Sequence, residues 1–196
     1  MHPSTRKTVI GFLRAVLKRR LPFLAGSEKS LDAIYNFRAI NDLYVTSGQP
    51  SEAQFQWIRD AGYQTVINLA PKSVLENAVM DEAGILAELG LKYIHQPVDF
   101  KNPTDADFER FVQAVRDEPL DRLWVHCAAN MRVSAFTYRY RRDVLGVAEA
   151  SAREDLFAIW APHGVWQGFI APRPQGSETI DGIQSHVHAQ PDPDKP

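Results

Sequence analysis

The sequence predicts an α/β domain whose central sheet is mostly parallel and flanked by helices. Two observations carry that expectation. Short apolar runs alternate with helical patterns between residues 43 and 125, and those helices open on cap residues and close on glycines. The last apolar run, Leu123 to His126, then leads through a short loop into another helix headed by Arg132. Strands joined by crossover helices lie parallel, and such sheets bind ligands at the carboxyl ends of their strands.

The elements follow in order. The first twenty residues carry Arg6, Lys7, Arg14, Lys18, Arg19 and Arg20 with no acid, while Val9, Leu13, Val16 and Leu17 fall on one helical stripe. We expect this helix to pack its apolar stripe on the domain and solvate its basic face. Weak contact with an acidic membrane surface is the second reading. Arg14 interrupts the apolar stretch, which argues against a secretory signal, and no run is long enough to span a bilayer.

Leu43 to Thr46 reads as a strand, followed by a turn at Gly48-Gln49-Pro50 and a helix capped by Ser51 with Glu52 in its first turn. Gly62 closes that helix, and Thr65 to Leu69 forms the next strand. Glu82 to Leu89 is a helix closed by Gly90, and Lys92 to Val98 a third strand. Thr104 caps a helix that buries Phe108, Phe111, Val112 and Val115. The resulting division is a basic helical extension over 1–40, a catalytic body over 41–170, and a mobile Pro-rich tail over 171–196 that holds His186 and His188.

Topology therefore places three segments on one sheet edge: the loop after His126, the Asp99 segment after Val98, and Asn68 to Lys72. Cys127, the only cysteine in the chain, opens the first of these. A strand ending in cysteine, a short loop and an arginine at a helix head make an anion pocket. The amides of Ala128, Ala129, Asn130 and Met131 point at a bound oxyanion, Arg132 clamps two of its oxygens, and the positive field favours the thiolate. The loop lacks glycine, and Asn130 is the residue best suited to the positive φ that turns the amides inward.

A thiolate at Cys127 can attack phosphorus to give a phosphocysteine, and the leaving oxygen then needs a proton. Asp99 is the candidate donor; Asp105 and Asp107 are alternatives, though stabilisation of a helix N-terminus already explains both. His126 is expected to hold the loop by hydrogen bonds, because its side chain points away from its neighbour's on a strand. Ser134 either hydrogen-bonds the sulfur or packs within its helix. Arg139, Arg141 and Arg142 either extend the positive field or form a solvated face. Trp160, Trp166 and Phe169, with His163 beside them, either roof the cleft or, as the preferred reading, belong to the core.

Composition bounds the function. The chain has 196 residues, 44% hydrophobic, with formal net charge -2, which gives no basic balance for nucleic acid. One cysteine excludes an internal disulfide and a cysteine-rich zinc site and fits a cytoplasmic protein. Neither a metal nor a cofactor is expected.

The stretches VTSGQPSEAQF, GYQTVINLA, YIHQPVDFKNPTDADFERF, VHCAANMRVSAF and IWAPHGVWQGF resemble the beta-lactamase hydrolase-like protein phosphatase family, bacterial relatives of the cysteine-dependent protein tyrosine and dual-specificity phosphatases. The resemblance implies a phosphatase-like fold acting on a phosphorylated substrate, with Cys127 as nucleophile, Arg132 as phosphate ligand and Asp99 as acid. Only four residues separate Cys127 from Arg132, one fewer than in the general signature of those phosphatases. Rhodanese-like sulfurtransferases carry a loop of the same length. A Cys127 persulfide enzyme and a non-catalytic phosphate-binding module are therefore the competing readings.

Overall fold

In a computed structural model, residues 1–20, 30–40 and 44–172 are described. The expected tail from residue 173 on, with His186 and His188, and the start of the first expected strand at Leu43 lie outside these residues. The elements are α1 (Pro3–Arg20), β1 (Arg38–Ile40), β2 (Tyr44–Ser47), α2 (Glu52–Asp60), β3 (Thr65–Asn68), α3 (Glu82–Glu88), β4 (Lys92–His95), α4 (Asp105–Arg116), β5 (Leu123–His126), α5 (Met131–Arg139), α6 (Glu149–Ile159) and α7 (Val165–Ile170).

The five strands are ordered β1-β2-β5-β3-β4, with β2, β5, β3 and β4 parallel and β1 antiparallel at one edge. Register brings their ends level: His126 pairs with both Ser47 and Asn68, and Asn68 pairs with His95. The loops that follow Ser47, Asn68, His95 and His126 therefore leave one edge of the sheet together, as the crossover pattern predicted.

Side-chain alternation divides the core in two. Val66 and Trp124 pack with Phe55, Ile58 and Leu86 from α2 and α3, whereas Ile67 and Val125 face Phe111, Phe136, Leu156 and Phe169 from α4 to α7. The local signals behave as their chemistry dictates. Ser51 and Gln54 form a reciprocal capping box on α2, Thr104 and Asp107 form another on α4, and Gly62 and Gly90 take positive φ beyond the ends of α2 and α3.

The N-terminal helix departs from expectation. Thr5 and Thr8 are buried, while Val9, Leu13 and Leu17 are 40%, 63% and 50% exposed. Hydrogen bonding decides the orientation. Thr8 Oγ1 donates to the Ile159 carbonyl (2.5 Å) at the end of α6, and Thr5 Oγ1 accepts from Ala161 N (2.9 Å), so two hydroxyls satisfy the backbone that the helix end leaves open. Tyr35 fixes the same face: its hydroxyl donates to the Thr8 carbonyl, and its ring fits against Gly11, where an added Cβ would come within 2.7 Å.

Two further corrections concern charge and the sheet edge. Arg139 and Arg141 are not a solvated face: both are buried, Arg139 bonding Asp105 (2.9 Å) above the Phe108 ring and Arg141 pairing with Asp155. β1 is an edge strand of three residues inside the segment assigned to the extension, too short to leave a periodic pattern.

Candidate active site

β5 delivers Cys127 as the first residue beyond its last rung, and the loop to α5 is held from outside by the Cys127 amide and by two carbonyls. Cys127 N donates to Ser47 O (3.3 Å), the Ala128 carbonyl accepts from Gln49 N (3.2 Å), and the Ala129 carbonyl accepts from Asn36 Nδ2 (3.0 Å). Gly48 makes this close approach possible, since a Cβ there would sit 2.5 Å from the Tyr35 ring and 3.0 Å from Ala128 O. With these carbonyls turned outward, the Ala128 and Ala129 N–H groups donate to no protein acceptor among the described residues.

Asn130 takes φ 63° and ψ 3°, the left-handed conformation that the glycine-free loop requires. Its side chain is tied down as well: Nδ2 donates to Asn36 O (2.8 Å) and to Thr46 Oγ1 (3.0 Å). The turn is thus enforced from β2 and from the segment before β1.

Arg132 lies in the first turn of α5 and is buried. Its Nε donates to the Val98 carbonyl (2.9 Å), and its guanidinium stands 5.1 Å from the centre of the Phe100 ring. Cys127, Ala128, Ala129, Met131 and Arg132 line one cavity of about 260 Å³. The other walls are Phe100, Leu75, and Thr8, Val9 and Phe12 of α1, so the N-terminal helix forms part of the cleft.

Asp99 stands beside this cavity without lining it. Its side chain is exposed, and Oδ1 accepts from Lys101 N (2.9 Å) within its own turn. The alternatives are committed elsewhere, Asp105 to Arg139 and Asp107 to the α4 capping box and Arg110. Ser134 Oγ donates to the Met131 carbonyl (3.0 Å), so its proton serves the helix rather than the sulfur. Trp160, Trp166 and Phe169 are core residues, yet both indoles reach the site: Trp160 Nε1 donates to Met131 O (3.1 Å) and Trp166 Nε1 to Phe100 O (2.8 Å).

The sequence pattern did not single out Glu82. It is buried at the start of α3 and accepts from Gln49 Nε2 (2.7 Å), from Asn68 Nδ2 (3.0 Å) and, within 2.9 Å, from His126 Nε2. One carboxylate thereby joins the loop that follows β2 and the last residue of β3 to the residue before the cysteine. Burial pushes the Glu82 carboxyl up, but its pairing with His126 and the hydrogen bonds from His126 and Gln49 outweigh this and hold it below the ordinary glutamate value. An acid in the first turn of a helix is already explained by the dipole, so its sequence position carries no separate signal.

The unfolded chain therefore binds this proton more readily than the folded one, and Glu82 stabilises the fold above the unfolded value and loses that contribution as pH falls through the folded one. Glu82→Gln is expected to cost about 1–3 kcal/mol at neutral pH. Urea midpoints measured downward to about pH 3 should show the gap from wild type closing in acid.

A parallel sheet that presents a cysteine loop and a helix-head arginine to one cleft is an arrangement of the tyrosine and dual-specificity phosphatase class. The family model that matches residues 27–159 is described as DSP-PTPase phosphatase fused to NAD+ kinase, and the chain belongs to that family. A DUF442 protein of Shewanella putrefaciens CN-32, itself classed provisionally as a phosphatase, is 32% identical with a TM-score of 0.63 over 71% of this chain and 91% of its own. The core catalytic domain of a PP-IP phosphatase from S. cerevisiae shares the fold at 15% identity, with a TM-score of 0.58 over 70% of this chain and 84% of that one. A Neisseria meningitidis Z2491 protein with the same provisional class does so at 23%, with a TM-score of 0.51 over 60% and 83%. No curated protein matched the chain by sequence. Among the described residues, no helix is long and apolar enough to cross a membrane.

Proposed function

We propose that the protein hydrolyses phosphomonoesters through a phosphocysteine at Cys127. The observation that carries this reading is the loop itself: the Ala128 and Ala129 carbonyls are bonded outward, Asn130 is left-handed, and Cys127 and Arg132 line one cavity. In the first step the Cys127 thiolate attacks phosphorus in line, and the sulfur–phosphorus bond forms as the ester oxygen leaves. The loop amides and Arg132 hold the non-bridging oxygens as charge develops on them. In the second step water attacks phosphorus, the sulfur–phosphorus bond breaks, and inorganic phosphate leaves with the thiolate restored.

Asp99 is the proton donor to the leaving oxygen in this scheme. It follows Val98, whose carbonyl holds Arg132, and precedes Phe100, which lines the cavity. Its one exposed hydrogen bond to Lys101 N is a small barrier to turning the carboxyl inward. An alkyl phosphate needs that proton far more than a nitrophenyl phosphate does. Asp99→Asn should therefore lower kcat for an alkyl phosphate about 10²-fold and change nitrophenyl phosphate much less. Phosphate release measured for both esters tests the assignment, and equal losses on both would remove Asp99 from the role.

A further inference from the structure

We propose that the outward face of α1 is a docking surface for an acidic lipid bilayer. Burial of Thr5 and Thr8 against the domain turns Ile10, Leu13 and Leu17 outward, where they are 41%, 63% and 50% exposed. Their spacing of three and four residues makes one stripe on a helix about 27 Å long. Lys7, Arg14 and Lys18 recur at intervals of seven and four along the adjacent stripe, all exposed, and Arg6 lies among the apolar positions.

Charge selects the occupant. The chain as a whole carries formal net charge -2, yet Pro3–Arg20 contains no acidic residue. A second copy of the chain would have to set this basic stripe against itself in a two-fold pair, which like charges oppose. An anionic headgroup layer over acyl chains satisfies both stripes at once. The helix also offers a recess for such a group: a cavity of about 660 Å³ is lined by Arg6, Lys7 and Arg14 together with Ile10, Tyr35 and Asn36.

The same helix walls the catalytic cleft. Val9 stands at the cleft on the flank of the apolar stripe, and Leu75, 89% exposed, stands across the cavity from the turn after β3. A bilayer seated on α1 therefore lies beside the cleft mouth, with two exposed apolar side chains at its rim. This docking does not depend on the chemistry proposed for Cys127.

The test is flotation of the full chain with vesicles of phosphatidylcholine alone and of phosphatidylcholine mixed with phosphatidylglycerol, at low and high salt. The wild type should float with the acidic vesicles, bind at least about tenfold more weakly in high salt, and stay behind with the neutral ones. The paired variants Leu13→Asp with Leu17→Asp, and Lys7→Glu with Arg14→Glu, should each weaken binding at least about tenfold. Their thermal midpoints and their rates on a soluble aryl phosphate should match the wild type. Failure of the wild type to float, equal binding to neutral vesicles, or wild-type binding by both variants would overturn the proposal. So would a change of the variants from dimer to monomer without any vesicle binding by the wild type.

Discussion

Cys127→Ser is expected to reduce phosphate release by about 10⁴-fold or more while the protein stays folded. The hydroxyl is close in shape to the thiol but is not ionised at neutral pH, so it needs a base to remove its proton. The adjacent imidazole cannot serve, because His126 points to the other side of the strand and its Nε2 is engaged by Glu82 at 2.9 Å. Cys127 is fully buried among apolar neighbours, so the hydroxyl should cost about 1–2 kcal/mol in stability and leave the loop in place. Phosphate affinity should remain within a few-fold of wild type, because the amides and Arg132 are untouched. Thermal unfolding and phosphate titration of the variant separate this outcome from simple misfolding.

Arg132→Lys is expected to lower kcat/KM by about 10²–10³-fold, although the charge is kept. The guanidinium does three things from one position. Its Nε holds the Val98 carbonyl, its guanidinium stands over the Phe100 ring, and its forked geometry suits two-point contact with a phosphate. A lysine ammonium is a single point of charge and cannot hold Val98 and a phosphate together. The variant leaves the Val98 carbonyl without its donor, and the segment that carries Asp99 and Phe100 loses its tie to α5. Both kcat and KM should worsen, measured by initial rates of phosphate release. A lysine variant with wild-type kcat would show that charge alone suffices and that the fork geometry is irrelevant.

Much of the fold was legible because its signals are local. Ser51 with Gln54 and Thr104 with Asp107 announce helix starts through hydrogen bonds made within four residues, and Gly62 and Gly90 announce helix ends through a conformation glycine adopts freely. Asn130 belongs to the same group: a glycine-free loop needed one left-handed residue, and asparagine was the one present that tolerates it.

What stayed hidden depends on residues far apart in the chain. The orientation of α1 follows from Thr5 and Thr8 bonding the backbone near residue 160, so hydroxyls rather than the apolar stripe chose the buried face. Glu82 acquires its place only when β2, β3 and β5 bring Gln49, Asn68 and His126 around it. Arg139 and Arg141 read as surface cations until Asp105 and Asp155 are seen to meet them. The α6 helix begins at a position with no side-chain cap, which removed its sequence signature.

Hydrolysis by the proposed route requires phosphate to pass through a covalent bond to the Cys127 sulfur. Acid quenching of the wild type during turnover of an aryl phosphate, followed by mass spectrometry of the peptide that carries Cys127, tests it most directly. A phosphorylated Cys127 should appear before steady state, decay when substrate is exhausted, and be absent from Cys127→Ser. Phosphate release without any phosphate on Cys127, or a Cys127 that carries added sulfur and no phosphate, would contradict it.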